Sequence, residues 1–282
     1  MRTLIIALVL AADVGTLSAQ AVRHIDVENL FPSVGSAIIW VEPNNAGVPP
    51  GVLAAGSGVL IGDRVFLTAA HVTRPSEDGI PPFIHVYVTF NLHVFDDRST
   101  WIPVVAQAWH PSTPPCHNNV CNWDFPPLSM SFSDVGLMLL ESPPKGIKPV
   151  KLAHAGSFET GRGDSQDQII VGYGFPDHAQ PWSQWPGVRH YVVVSPEQVW
   201  DDRRTTGGSG QICLGDSGGP TFFGPIGDSA NKRREVAAVT SATVGDCSTG
   251  SIFARVDNAD VPAWIDQQVQ QWAAKLGMGE SQ

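Results

Sequence analysis

Proline and glycine punctuate this chain almost throughout, with 23 Pro and 28 Gly among 282 residues, spread rather than clustered. Helix interiors tolerate both poorly, whereas short strands joined by turns need them. Helical periodicity is accordingly scarce. It is clear only near the end of the chain, where Trp264, Ile265, Val269, Trp272 and Leu276 recur at helix-like intervals and predict a helix over Val261 to Leu276, packed on the body. A hydrophobic content of 43% supplies a sizeable core, enough for one large all-β domain or two small ones. There is no internal repeat, low-complexity tract or long charge run, which argues against solenoid, coiled-coil and disordered-tail readings.

One hexapeptide carries chemistry. Gly215-Asp216-Ser217-Gly218-Gly219-Pro220 places a hydroxyl in a glycine-lined turn beside an acid. A serine hydroxyl is a poor nucleophile and needs both a base to take its proton and donors to hold the oxyanion it creates. Glycine-rich surface turns look similar, so a second motif is needed. Thr68-Ala69-Ala70-His71 follows the apolar run Val65-Phe66-Leu67, a predicted buried strand whose end presents the imidazole. Asp134 precedes a second apolar run, Val135 to Leu140, and a carboxylate at a strand's mouth can fix a histidine tautomer. Asp124 competes for that role, but Pro126-Pro127 after Phe125 places it in a loop. An α/β-hydrolase esterase is excluded because its serine precedes its acid and histidine.

With His71, Asp134 and Ser217 in that order, the chain resembles the trypsin-like (chymotrypsin-fold) serine peptidases from about Pro32 onward. Val171-Gly172-Tyr173-Gly174 resembles the start of that family's second barrel, and Val261 to Leu276 its terminal helix. The resemblance implies an all-β fold of two six-stranded antiparallel β-barrels packed around a catalytic cleft, with a C-terminal α-helix. The first barrel would span about 33–143, the second about 150–258, and Glu141 to Gly146 would cross between them. By the same resemblance His71 is general base and acid, Asp134 its orienting partner and Ser217 the nucleophile of an acyl-enzyme. The amides of Gly215 and Ser217 form the expected oxyanion hole, and Ser241 backs the carboxylate. The implied function is a secreted serine endopeptidase. Its alternative is a catalytically silent or zymogen-locked relative acting as a binding module.

The ends and cysteines suit export. Arg2, the apolar stretch Leu4 to Ala12 and Ala19-Gln20-Ala21 read as a signal peptide over residues 1–21, leaving a mature chain at 22–282 in an extracellular or periplasmic setting. The resemblance pairs Cys213 with Cys247 beside the specificity pocket. Cys116 and Cys121 are then left to close a small loop; a zinc site using them with His117 is disfavoured for want of a further ligand. No metal or cofactor is expected. A net charge of −10 argues against nucleic acid, so the expected partners are protein or peptide substrates and protein inhibitors, with the chain a monomer.

Specificity and activation depart from the family. Gln211 stands where trypsins carry the aspartate that binds a basic side chain, with Thr243 and Ser251 at other pocket positions. Without a buried carboxylate a cationic side chain has no counter-ion, which predicts cleavage after neutral, small to medium residues unless Asp246 turns inward. Animal relatives insert a freed Ile-Val-Gly-Gly-like terminus that pairs with the acid next to the serine, here Asp216. This chain has no such motif, and Arg23 after Val22 is awkward to bury, leaving the partner of Asp216 open. Arg162-Gly163-Asp164 reads as a turn, the remaining histidines as surface or satisfied core residues, and the nine tryptophans mainly as packing.

Overall fold

The computed structural model describes residues 22–44, 47, 50–73, 82–113, 132–158, 168–176, 180–194, 196–199, 204–207, 212–223, 234–244, 247 and 250–276. The expected leader, Cys116, His117, Cys121, Asp124, the Arg162 to Asp164 turn, Gln211 and Asp246 lie outside them. The strands in chain order are β1 (Arg23–Ile25), β2 (Val34–Val41), β3 (Gly51–Leu60), β4 (Val65–Thr68), β5 (Ile84–Thr89), β6 (Ile102–Trp109), β7 (Gly136–Leu140), β8 (Lys151–Leu152), β9 (Gln168–Gly172), β10 (His190–Val194), β11 (Pro196–Val199), β12 (Arg204–Gly207), β13 (Pro220–Phe223), β14 (Glu235–Val244) and β15 (Gly250–Arg255). One α-helix among the described residues, α1 (Asp260–Leu276), follows. The fold is chymotrypsin-like and mostly β, as the punctuation predicts.

β2, β3, β4, β7, β6 and β5 close into a six-stranded antiparallel barrel. β4 and β7 are buried on both faces, because side chains that alternate along each strand enter two different cores. Ile39, Leu60, Phe66 and Met138 cluster with Val86 and Val88 of the same barrel. Their strand neighbours Ile38, Val59, Leu67 and Leu139 instead join Ile169, Val171 and Val239 of the second half. That second half is a sheet in the order β1-β10-β9-β13-β14-β15-β12-β11, with β8 parallel to β14. The helix seals the shared core with Val261, Ile265 and Trp272. Its first turn is capped by Asn258, whose Oδ1 accepts from the Val261 amide at 3.0 Å.

The chain's first strand belongs to the second sheet, with Arg23 opposite Val192 and Ile25 opposite His190. A buried ion pair fixes it there: Arg189 Nε donates to Asp26 Oδ2 at 2.8 Å, with both side chains essentially inaccessible. The same guanidinium donates from Nη1 to the Phe90 and Val34 carbonyls of the first barrel, at 3.0 and 3.2 Å. Asp26 in turn accepts from the Leu30 and Phe31 amides. Removing one partner of such a pair strands a buried charge, so Asp26→Ala should cost about 3–5 kcal/mol. Urea unfolding at constant m-value is the measurement. A shift below about 1 kcal/mol would show that the carbonyl acceptors alone hold Arg189.

Candidate active site

β4 and β7 are antiparallel neighbours with Thr68 opposite Gly136, so the residues just after one and just before the other meet at the same end of the barrel. A single 3-10 turn, Ala70–Thr73, follows β4 and carries His71, while Asp134 leads into β7. That turn lies directly on β7: a Cβ on Gly136 would fall 2.6 Å from Thr73 Cγ2 and 2.9 Å from the Ala69 carbonyl oxygen. Asp134 is buried and holds the histidine twice, with Oδ2 2.8 Å from His71 Nδ1 and Oδ1 accepting from the His71 amide at 3.0 Å. Ser241 Oγ, from β14 of the other half, donates to Asp134 Oδ2 at 2.7 Å.

Burial raises the Asp134 carboxyl, but the His71 charge, its hydrogen bonds and the Ser241 hydroxyl outweigh it and hold the pKa below the ordinary carboxylate range. Burial likewise lowers the His71 imidazole, and the Asp134 charge and hydrogen bond reverse the sign, raising it above 6.5. Because Nδ1 faces the carboxylate, the proton on that nitrogen is fixed and Nε2 is left as the basic atom. The His71 side chain is 27% exposed, open enough to meet a substrate.

Ser217 sits in the tight turn between Cys213 and β13. Gly215 and Gly218 both take left-handed backbone, with φ of +93° and +83°. At Gly218 space also forbids a side chain: a Cβ would fall 2.0 Å from Thr68 Oγ1 and 2.7 Å from the Ala69 amide nitrogen. The serine turn is thereby pressed against the residues that lead into His71. The Ser217 carbonyl accepts from the Ser57 amide at 2.7 Å, and a Cβ on the preceding Gly56 would lie 3.1 Å from that carbonyl and 2.7 Å from Val72 Cγ1. β3 therefore separates the Ser217 turn from the His71 turn by the thickness of a glycine.

The backbone donors of this turn divide cleanly. The amides of Asp216, Gly218 and Gly219 donate to the Cys213, Thr240 and Asp216 carbonyls at 3.0, 2.7 and 2.9 Å. Among the described residues no hydrogen bond uses the Gly215 or Ser217 amide. Cys213 and Cys247 form the expected disulfide, with 5.1 Å between Cα atoms. Thr243 and Ser251 are register partners across β14 and β15, and Cys247 lies between them in the chain.

The family model described as Trypsin matches residues 49–265. The chain belongs to the trypsin family. Among solved structures it is similar to a protein named HBP, with a TM-score of 0.61 and 16% identity over 88% of this chain and 96% of that one. It is also similar to neuropsin, a serine protease expressed in the limbic system of mouse brain, with a TM-score of 0.58, 18% identity and 88% and 98% coverage. At such identities the likeness is one of fold. No curated protein matches the chain.

Sequence reasoning left Asp216 without a partner. The structure supplies His190, whose Nε2 lies 3.1 Å from Asp216 Oδ1, both side chains being buried. Arg23, read as awkward to bury, is accommodated by carbonyls of Gly174 and Phe175 and by His190. No local spacing could have disclosed a contact between residues 167 positions apart.

The raised His71 pKa is also a stability statement. The His71 shift contributes fully below the unfolded value of 6.5 for as long as Asp134 is ionised, and its contribution is lost as pH rises through the higher folded value. Ring-proton NMR should give a His71 midpoint above 6.5 that drops in Asp134→Asn. Over the same window the substitution should abolish the loss of unfolding free energy. An unchanged midpoint would remove Asp134 as the source of the shift.

Proposed function

We propose that this trypsin-family protein is a secreted serine endopeptidase that works through an acyl-enzyme. The observation that carries the reading is the hydrogen-bonded set of His71, Asp134 and Ser241 packed against a Ser217 turn in which two amides have no partner among the described residues. His71 Nε2 takes the proton from Ser217 Oγ as the oxygen attacks the substrate carbonyl, and Asp134 stabilises the imidazolium without itself being protonated. The amides of Gly215 and Ser217 receive the oxyanion. His71 then returns its proton to the leaving amine, and water, deprotonated by the same nitrogen, releases the acyl group.

The substrate is a protein or peptide. Thr243 and Ser251 offer hydroxyls and no counter-charge, and by the family resemblance the neutral Gln211 stands where trypsins carry an aspartate, which favours small to medium uncharged residues before the cleaved bond. Secretion is supported by the residue pattern of the first 21 positions and by the Cys213–Cys247 disulfide.

Intact mass after treatment with a fluorophosphonate tests the mechanism, and a peptide library varied before the scissile bond tests the pocket. One adduct, on Ser217, and cleavage after neutral residues are expected. Ser217→Ala should fold normally, lose the adduct and lose turnover by on the order of a millionfold. Equal labelling of wild type and variant would remove Ser217 as nucleophile. Absence of any adduct on folded protein would favour a zymogen-locked or silent binding module.

A further inference from the structure

Asp216 follows Gly215 and precedes Ser217, so whatever holds its carboxylate holds the turn. Both oxygens are pinned: Oδ1 accepts from the Gly174 amide at 2.7 Å and Oδ2 from the Cys213 amide at 2.9 Å. The carboxylate is almost fully buried, and a buried anion needs a counter-charge. Among the described residues the side chain that meets it is the His190 imidazole, with Nε2 3.1 Å from Oδ1.

The other ring nitrogen settles what that imidazole is. His190 Nδ1 lies 2.6 Å from an Arg23 guanidinium nitrogen and 3.3 Å from the Val188 carbonyl. Guanidinium only donates, so the shorter contact requires a lone pair on Nδ1. The ring proton is then on Nε2, pointing at Asp216. The imidazole is neutral and bridges a cation to an anion.

Arg23 also acts through the backbone. It donates to the Gly174 carbonyl, whose residue gives its amide to Asp216, and to the Phe175 carbonyl, whose residue gives its amide to the Leu214 carbonyl at 2.8 Å. Leu214 and Asp216 bracket Gly215. Delivery of Arg23 to this place rests on pairing of β1 with β10 and on the buried Asp26–Arg189 pair three residues on.

We propose that Arg23, relayed by neutral His190, is the built-in counter-charge of Asp216, so that a side chain of the first strand, and no freed amino terminus, sets the Gly215–Ser217 turn. Arg23 and His190 are positioning residues; neither reaches the reacting atoms. Burial lowers the Arg23 pKa, and Asp216 opposes that shift.

The inference rests on the peptidase reading for its kinetic consequence and stands apart from it for its structural one. In the Ser217→Ala protein, ¹⁵N shifts of the His190 ring should show a protonated Nε2 and a bare Nδ1, and Arg23→Ala should perturb Nδ1 first. That readout needs no activity. In the active chain, Arg23→Ala and His190→Ala should slow fluorophosphonate labelling by about tenfold to a hundredfold, acting on kcat more than on KM, with Arg23→Lys recovering part of the loss. A Gly-Ser extension ahead of Val22 should label at the wild-type rate. A doubly protonated or Nδ1-protonated ring, wild-type labelling in both alanine variants, or loss of labelling on extension would each overturn the relay. Failure of wild type itself to label would instead count against the peptidase reading, with the ring shifts still deciding the relay. If Arg23→Ala does not fold, the ring shifts of Ser217→Ala and the extended protein decide it.

Discussion

The site depends on one buried carboxylate that belongs to neither half of the molecule alone. Asp134 comes from the first barrel with His71, yet its Oδ2 also accepts from Ser241 of the second sheet. A buried anion is tolerated only when its lone pairs are met, and here the donors that meet them come from both sides of the interface. The electrostatics of the site and the packing of the two halves are therefore one constraint. If the interface slipped by a fraction of a hydrogen-bond length, the carboxylate would lose Ser241 and its depressed pKa would rise.

The same interface explains the density of glycine at the centre. Gly218 and Gly56 are positions where backbone meets backbone or the base of a side chain, and at each an added Cβ would overlap its neighbour. Close approach of this kind lets the turns bearing Ser217 and His71 be supported by the same strand, β3, through the Ser57 amide and the edge of Gly56. Tight support suits catalysis, because donors aimed at a developing charge are effective only when they need not reorganise. The turn's amides divide accordingly: those of Asp216, Gly218 and Gly219 are bonded to carbonyls, and those of Gly215 and Ser217 are not bonded among the described residues.

Most of this was legible locally. The runs Val65 to Leu67 and Val135 to Leu140 announce buried strands because strands covered on both faces lose their polar alternation, and β4 and β7 are such strands. The helix over 261–276 was readable from its period, and α1 begins one residue earlier at Asp260, with Asn258 as its cap. The Cys213–Cys247 pairing followed from resemblance, and the disulfide is present. What the sequence hid is of another kind. The joining of β1 to the second sheet, the Arg189 bridge between halves and the His190 partner of Asp216 are contacts between distant residues with ordinary local surroundings. Periodicity reports which face a residue occupies; it carries no record of what lies opposite.

The expectation about Arg23 shows how such reasoning fails. Burying an arginine is costly when the guanidinium lacks partners, which made the place of Arg23 look unfavourable. Backbone carbonyls remove that objection, since Gly174 and Phe175 point their oxygens at the fork and His190 presents a lone pair. A guanidinium is well suited to this task, being always charged and able to donate to several acceptors at once. An α-amino group could place one charge beside Asp216, but it could not also hold the Gly174 and Phe175 carbonyls of the segment whose Phe175 amide donates to the Leu214 carbonyl. Substituting a side chain for a terminus thus couples the counter-charge to the backbone on which the Ser217 turn is hung, and makes the register of β1 against β10 part of the site's geometry.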